Sequence, residues 1–442
     1  MNRHRDHLTP KEITIILEKA LHTSVELRKQ LPILNEQKNQ LFDLSSTTFS
    51  FNYSFFNETE GVINAIYFIN LQMSHHNTDQ IMDVADSSSL KIIHDENIEN
   101  DDEKNMELVL KVNTLDDAWK KAKTINEVSL LLFLKKNNIM VPQLYDYELD
   151  SSSVGFEYLL MEKVKGVTLR SLCYKMDVDD RKHWIGEISK FLKEMNKFTI
   201  DISTIATVEG DENVRHVHNV KLTPNCDNKK WYGGSFMDLQ LDSHKEKLVH
   251  VTIGPYVDSR RGPFESFVEY LKSLIEFRYE IFKENENGRF ARYIPLLKKY
   301  VDKYLNIQHK EQVEMENLKL YICHGDLSTS NVIVNPETKT IVSVIDWEWA
   351  KLSVIEEDMR NIYEDWCIEV HELINYFNQQ IEDQHSSITK NILDHFHVID
   401  NLSGIENYKQ FHSISETLEA EEYVEMISKE TDELLTRLIE EN

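Results

Sequence analysis

The sequence predicts an α+β chain in two parts, a smaller β-rich part followed by a larger, mainly helical one. Three observations predict this. From Phe49 to Val164 the text is dominated by aromatic and β-branched runs, broken by one helical stretch. After Gly166 the apolar residues recur mostly at helical spacing. The chain of 442 residues, 41% hydrophobic, is long enough for two or three lobes.

The elements follow in order. Thr9-Pro10 ahead of "KEITIILEKAL" is a helix start, with a threonine cap and a proline in the first turn. Helical text continues to about Leu44, so 1–48 is expected as an N-terminal helical extension. "TFSFNYSFF" and "GVINAIYFINLQM" are two strands that "NETEG" would join into a hairpin. Ser74 to Asn105 holds nine acids against two lysines and is expected as a long acidic surface insertion. Its His75-His76 pair reads as solvated loop histidines. "MELVLKV" returns to strand. The helix "DDAWKKAKTINEVSLLLFLKKNN" then sets Val128, Leu131, Leu132 and Leu134 on an apolar side, and "VPQLYDYEL" and "FEYLLMEKV" supply two more strands. The β-rich part thus spans 49–164.

The helical part is expected over 165–400. Trp184, Ile188, Phe191, Leu192 and Met195 share one helix face. Thr199 to Arg261 reads as irregular, with turn signals at Pro224 and Gly233-Gly234. "GPFESFVEYLKSLIEFRYEIF", started by Pro263, and "YIPLLKKYVDKYLNIQ" are helices. "YICHGDLSTSNVIVNPETKTIVSVIDWEWAK" reads as a loop and a hairpin. Residues 401–442 form an acidic helical tail with Val424, Ile427, Leu434, Leu435 and Leu438 on one side.

Composition excludes several functions. Acids outnumber bases 76 to 49, a net charge of −27, and no basic cluster suggests a nucleic-acid partner. The N-terminus lacks the apolar core of a signal peptide, and runs such as "VSLLLFL" are too short to span a bilayer. Cys173, Cys226, Cys323 and Cys367 form no CxxC and read as reduced thiols, Cys323 as a buried structural one. The expectation is a cytoplasmic protein with no membrane association and no predicted protein partner.

The chemistry concentrates in one stretch. Asp326 and Asn331 lie five apart on a polar loop leading into a strand, and Asp346 ends the returning strand. Two carboxylates and an amide oxygen are hard donors that suit Mg²⁺ bridging phosphates. One carboxylate can stay off the metal and accept a proton from a hydroxyl nucleophile. Phosphoryl transfer needs those parts.

"HGDLSTSN" followed by "VIDWE" resembles the aminoglycoside phosphotransferase and choline kinase family, with "GPFESFVEYL" similar to a segment of its fungal members. The resemblance covers about Phe49 to Trp366. It implies a bilobal protein-kinase-like fold, with a small β-rich N-lobe and a larger mainly helical C-lobe. Asp326 would be the catalytic base, His324 a scaffold residue of the catalytic loop, and Asn331 and Asp346 the Mg²⁺ ligands. Upstream, Lys111 in "LVLKV" would pair with phosphates and Glu127 in "NEVSLLLFL" would hold it. By itself Lys111 reads equally as an edge-strand lysine reaching solvent. Gly61, Asn64 and Tyr67 in "GVINAIY" resemble the family's Gly-x-x-Asn-x-x-Tyr, which places Gly61 and Asn64 over the phosphates. "LLMEKVKG" resembles a kinase hinge, with Met161 behind the adenine and backbone groups of Glu162 and Val164 on the base edge.

Gly325 stands where regulated protein kinases carry arginine, Ser328 replaces their lysine, and no Ala-Pro-Glu follows Asp346. These departures favour a small-molecule kinase. The implied function is an ATP- and Mg²⁺-dependent phosphotransferase, with GTP as the other nucleotide, acting on a hydroxyl of a small polar metabolite. The competing readings are a catalytically silent kinase-like nucleotide-binding module and a choline- or ethanolamine-type kinase. Glu357 and Asp358 read either as exposed helix acids or as groups meeting a cationic acceptor.

Overall fold

The computed structural model describes residues 8–30, 47–56, 64–75, 91–94, 105–113, 118–149, 154–198, 215–217, 220–224, 235–241, 248–254, 264, 267–284, 292–305, 321–367, 371–381, 392–399, 401–402 and 418–440. The chain forms two compact units, Met1–Val167 with Val342–Glu348, and Thr168–Ile341 with Trp349–Asn442. The class is α+β, one unit built on a sheet and the other mainly helical.

The first unit contains helices α1 (Pro10–Thr23), α2 (Val25–Gln30) and α3 (Ala118–Lys136). Its strands are β1 (Thr47–Phe56), β2 (Asn64–His75), β3 (Lys91–His94), β4 (Asn105–Asn113), β5 (Leu144–Glu148) and β6 (Glu157–Glu162). They form one sheet in the order β3-β1-β2-β4-β6-β5. β1 and β2 pair antiparallel from Thr47↔His75 to Phe56↔Ile66, as the expected hairpin requires. β3 lies inside the stretch read as an acidic insertion. It pairs parallel with β1, so part of that stretch belongs to the sheet.

Helix α1 belongs to this unit's core. Thr9 and Glu12 form a reciprocal capping box, and Pro10 occupies the first turn. Ile13, Ile16, Leu17, Ala20 and Leu21 are fully buried with Phe49, Phe51, Tyr67, Ile69, Leu108 and Leu110. Burying each large aliphatic side chain contributes roughly 1.5–3 kcal/mol. On the polar side, Lys19 Nζ lies 2.9 Å from Glu148 and 3.0 Å from the Tyr158 hydroxyl. The Tyr67 hydroxyl accepts the Leu8 N–H at 2.6 Å.

Helix α3 ends at Lys136, and two residues on Asn138 adopts a left-handed φ of 60°, a conformation asparagine tolerates just past a helix end. Its buried side includes Val128, Leu131 and Leu134.

The second unit begins after β7 (Val167–Thr168), which the chain uses to cross from the first. It holds α4 (Leu169–Cys173), α5 (Val178–Met195), α6 (Phe267–Glu284) and α7 (Tyr293–Leu305). The five residues grouped on one face of α5 are all buried. The segment Thr199 to Arg261 is not wholly irregular. Strands β8 (Arg215–Val217), β9 (Val220–Pro224), β10 (Ser235–Leu241) and β11 (Leu248–Gly254) form a sheet in the order β10-β11-β9-β8. β9 and β11 pair in parallel, so no hairpin turn announces that contact in the sequence. α6 starts at Phe267, four residues after Pro263.

Strands β12 (Tyr321–Cys323) and β15 (Lys351–Ser353) pair antiparallel and frame the motif stretch. Between them run β13 (Val332–Asn335) and β14 (Thr340–Val344). At the turn after β13, Asn335 Oδ1 accepts the N–H groups of Glu337 and Thr338 at 2.9 and 3.1 Å. Helix α8 (Glu356–Asn361) continues into a π-helix over Ile362–Cys367. A further helix follows over His371–Gln380, another over 392–399, and the last over Leu418–Glu440. No helix among the described residues is long and apolar enough to cross a membrane.

Candidate active site

In the first unit, β4 carries Lys111 into the interior. Its ammonium lies 2.6 Å from Glu127 Oε2 on α3, 2.6 Å from Asp346 Oδ1 and 3.1 Å from Glu348 Oε2. Lys111 and Glu127 are buried, while the Asp346 side chain is 38% exposed. Burial alone would lower the lysine, but the three carboxylates outweigh it and hold Lys111 well above the usual lysine range. Glu127 is pushed up to about 7, first by its own burial and then by Asp346 and Glu348, against the pull of Lys111. Glu348 is held at about 2, because Lys111 and Lys123 together overcome its burial. Lys111 is therefore held in its charged form and Glu348 in its ionised form, while burial biases Glu127 toward protonation.

Asp346 sits at φ 65°, a left-handed conformation that an L-residue adopts only when its surroundings hold it there. Trp347 helps to do so, being fully buried, with its indole N–H on the Val344 carbonyl at 2.9 Å. Oxygens of Glu127, Asp346 and Glu348 lie within 4.8 Å of one another. Such an all-oxygen set, with its most exposed member at Asp346, has the donor chemistry that Mg²⁺ prefers.

In the second unit, the loop after β12 carries Asp326, half-buried, and Asn331, buried. Asn331 Nδ2 donates to the Asp326 carbonyl at 2.9 Å and to its carboxylate at 3.0 Å. That fixes the amide's orientation and makes its oxygen the atom turned away from Asp326, a hard donor suited to Mg²⁺. His324 is buried, and its Nδ1 accepts the Asp326 N–H at 3.3 Å.

Three groups that the motif reasoning missed anchor this loop. Asp358 accepts the N–H groups of His324 and Gly325, both at 2.9 Å. Asp365 accepts both the N–H and the hydroxyl of Thr329. The Trp366 indole donates to the Leu327 carbonyl at 3.1 Å. The last two sit on the π-helix, a local irregularity that often marks functional sites. Asp358 and Glu357 are thus not exposed. Both are buried, and Glu357 accepts the Tyr270 hydroxyl and faces Lys351 and Arg360. Helical periodicity hid them, because the core here is satisfied by charged partners rather than by apolar ones.

Gly325 has φ +79°, and a Cβ there would collide with the Trp349 carbonyl and come 3.1 Å from Lys351 Cε. That explains a glycine where regulated protein kinases carry arginine. Cys323 is buried and donates to the Val354 carbonyl at 3.1 Å. Burial first, and then Asp358 and Glu357, push its thiol well up, so it stays protonated.

Of the remaining candidates, Met161 is buried on β6 opposite Val109, and Glu162 and Val164 are half-buried. The Glu162 N–H donates to the Gln143 carbonyl at 2.8 Å. Asn64 opens β2 opposite Asn113, and Gly61 lies outside the described residues. The structure thus gathers Lys111, Glu127 and Asp346 in one unit and His324, Asp326 and Asn331 in the other. It adds to the first group two residues without an assigned role. Lys123, four residues before Glu127, lies 3.0 Å from Glu348 Oε1. The i,i+4 spacing of Lys123 and Glu127 was the one available signal for it.

The profile of the phosphotransferase enzyme family matches residues 94–384. A subtelomeric hrmA-associated cluster protein of Aspergillus fumigatus is 20% identical over 276 residues, 55% of this chain and 53% of that protein. The chain therefore spans about half the length of this curated relative. Among solved structures, a thermostable mutant of aminoglycoside phosphotransferase APH(4)-Ia, in ternary complex with AMP-PNP and hygromycin B, superposes with a TM-score of 0.48 at 11% identity. The match covers 88% of this chain and 95% of that one. A GDP complex of wild-type aminoglycoside 2'-phosphotransferase-IIIa superposes with a TM-score of 0.44 at 13% identity, covering 94% and 98%.

Proposed function

The chain belongs to the phosphotransferase enzyme family, and we propose that it transfers the γ-phosphate of ATP, or of GTP, to a hydroxyl of a small polar metabolite. The observation that carries this is the buried Lys111, held at 2.6 Å by both Glu127 and Asp346. A lysine sunk in a strand costs several kcal/mol unless it is paired. One partner here, Asp346, is more than a third exposed and can turn toward an incoming ligand.

In this reading Lys111 binds the α/β-phosphates and Glu127 keeps its ammonium aimed. Asp326 accepts the proton of the acceptor hydroxyl, and Asn331 holds the Asp326 carboxylate in place through its amide N–H. Asn331 and Asp346 would hold Mg²⁺, which when bound supplies charge neutralisation at the phosphate oxygens. His324 orders the loop. Met161 backs the base, and backbone groups of Glu162 and Val164 face its edge. Ser328, in place of the lysine of protein kinases, supports a small-molecule acceptor, and the chain is proposed to act in the cytoplasm.

The test is a mass-shift screen of ATP and GTP with a hydroxyl-bearing metabolite library, run on wild type and Asp326→Asn. Wild type should phosphorylate at least one compound. The Asn variant should lose roughly 10²–10⁴-fold in turnover while keeping its nucleotide affinity. A variant as fast as wild type would remove Asp326 from the reaction.

A further inference from the structure

Helix α3 presents three polar groups to the segment Asp346–Glu348, at positions 123, 126 and 127, on one face. The Lys123 ammonium lies 3.0 Å from Glu348 Oε1, the Asn126 amide donates to the Glu348 carbonyl at 3.1 Å, and Glu127 takes Lys111 at 2.6 Å. The second oxygen of Glu348 lies 3.1 Å from Lys111. The result is a chain of alternating charge, Lys123–Glu348–Lys111–Glu127, whose two ends sit one turn apart on the same helix.

Lys123 is as buried as Lys111, each being 7% exposed. An aliphatic residue would fill that position without the cost of burying an ammonium. What an aliphatic residue could not do is fix one Glu348 oxygen so that the other aims at Lys111. Nor could it balance charge. Lys111 faces three carboxylates where the proposed ligand brings more negative charge, and Lys123 adds a second cation to that group.

We propose that Lys123 is a positioning residue for phosphate recognition: through Glu348 it fixes Lys111, and its charge offsets a carboxylate that would otherwise repel a nucleotide's phosphates. This rests on the nucleotide reading above. It predicts an effect confined to the phosphate part of the ligand.

The experiment is calorimetric titration of the full chain with Mg·ATP and with adenosine, and with Mg·GTP and guanosine in parallel. It uses wild type, Lys123→Met and Lys123→Arg. The Met variant should bind the triphosphate about tenfold more weakly, the size of one added like-charge interaction at a half-screened site. Its nucleoside affinity should match wild type, and the Arg variant should recover most of the loss. If Lys123→Met does not fold, Lys123→Gln replaces it, keeping an N–H donor and removing the charge. Unchanged triphosphate binding, an equal loss for nucleoside and triphosphate, or no recovery by arginine would each overturn the proposal. A wild type that binds none of the four ligands overturns the nucleotide reading itself and this inference with it.

Discussion

The carboxylate of Asp358 takes the backbone N–H of His324 at 2.9 Å, across 34 residues of sequence, and its other oxygen takes the next N–H, that of Gly325. Two charge-assisted hydrogen bonds from one buried side chain fix the backbone just ahead of Asp326. Asp358→Asn keeps the shape but turns an NH₂ group toward an N–H donor. It should cost about 1–3 kcal/mol in urea denaturation, the price of an unmet buried donor. Turnover should fall further than that loss of stability explains, because the loop ahead of Asp326 is released. A variant with wild-type stability would show that the two bonds are dispensable.

Gly325 gives a second check on the same loop. Gly325→Ala places a methyl group against the Trp349 carbonyl and forces a β-carbon into the left-handed region. The expected loss is roughly 1–3 kcal/mol for the backbone conformation, with the steric clash added to it. Thermal unfolding of the variant reads it directly, and an unchanged melting temperature would contradict the described loop.

Lys111→Met removes the cation shared by Glu127, Asp346 and Glu348. Breaking a buried ion pair by removing one partner costs about 3–5 kcal/mol. The variant should also lose nucleotide affinity, because the ammonium proposed to bind phosphate is gone. Retained Mg·ATP affinity, measured by titration, would separate this lysine from the ligand.

Helix α1 makes a prediction about the N-terminus. Ile16 is fully buried with the sheet's aromatic and aliphatic residues. Ile16→Ala should destabilise the protein by about 2–5 kcal/mol in urea, the range for deleting a large aliphatic group from a packed core. A loss near zero would mean that α1 is only loosely attached.

The alkaline limb of stability follows from buried thiols. Burial pushes the Cys367 thiol up from 9.0 to about 12. Between those values the unfolded chain has released a proton that the folded chain retains. The folded state therefore binds more protons there, and stability falls as pH rises from about 9 to about 12. Below pH 9 the contribution is fully present. Cys367→Ala should flatten this slope in urea midpoints measured from pH 8 to 11, while an unchanged slope would assign the loss to other groups.

How much of this was legible beforehand differs by residue. The threonine cap at Thr9, the hairpin of β1 and β2, and the apolar face of α5 were readable because each depends on neighbours a few residues away. The Lys111–Glu127 pair was readable for a different reason: the family resemblance called for a lysine on that strand and a glutamate on the next helix, and the cost of an unpaired lysine in an apolar strand pointed the same way. Lys123 offered only its spacing, since its partner Glu348 is 225 residues away.

By itself, then, the sequence determined the local elements and the residue types that phosphoryl chemistry needs, because periodicity, caps and motif spacing are short-range properties. Tertiary structure alone decided that Glu357 and Asp358 are buried, that Gly325 must be glycine, that strands arise within Thr199–Arg261, and that Glu348 bridges two lysines. Each of these depends on which distant groups share a small volume. Burial there is offset by charge and hydrogen bonding rather than by hydrophobicity, so no apolar pattern in the chain records it.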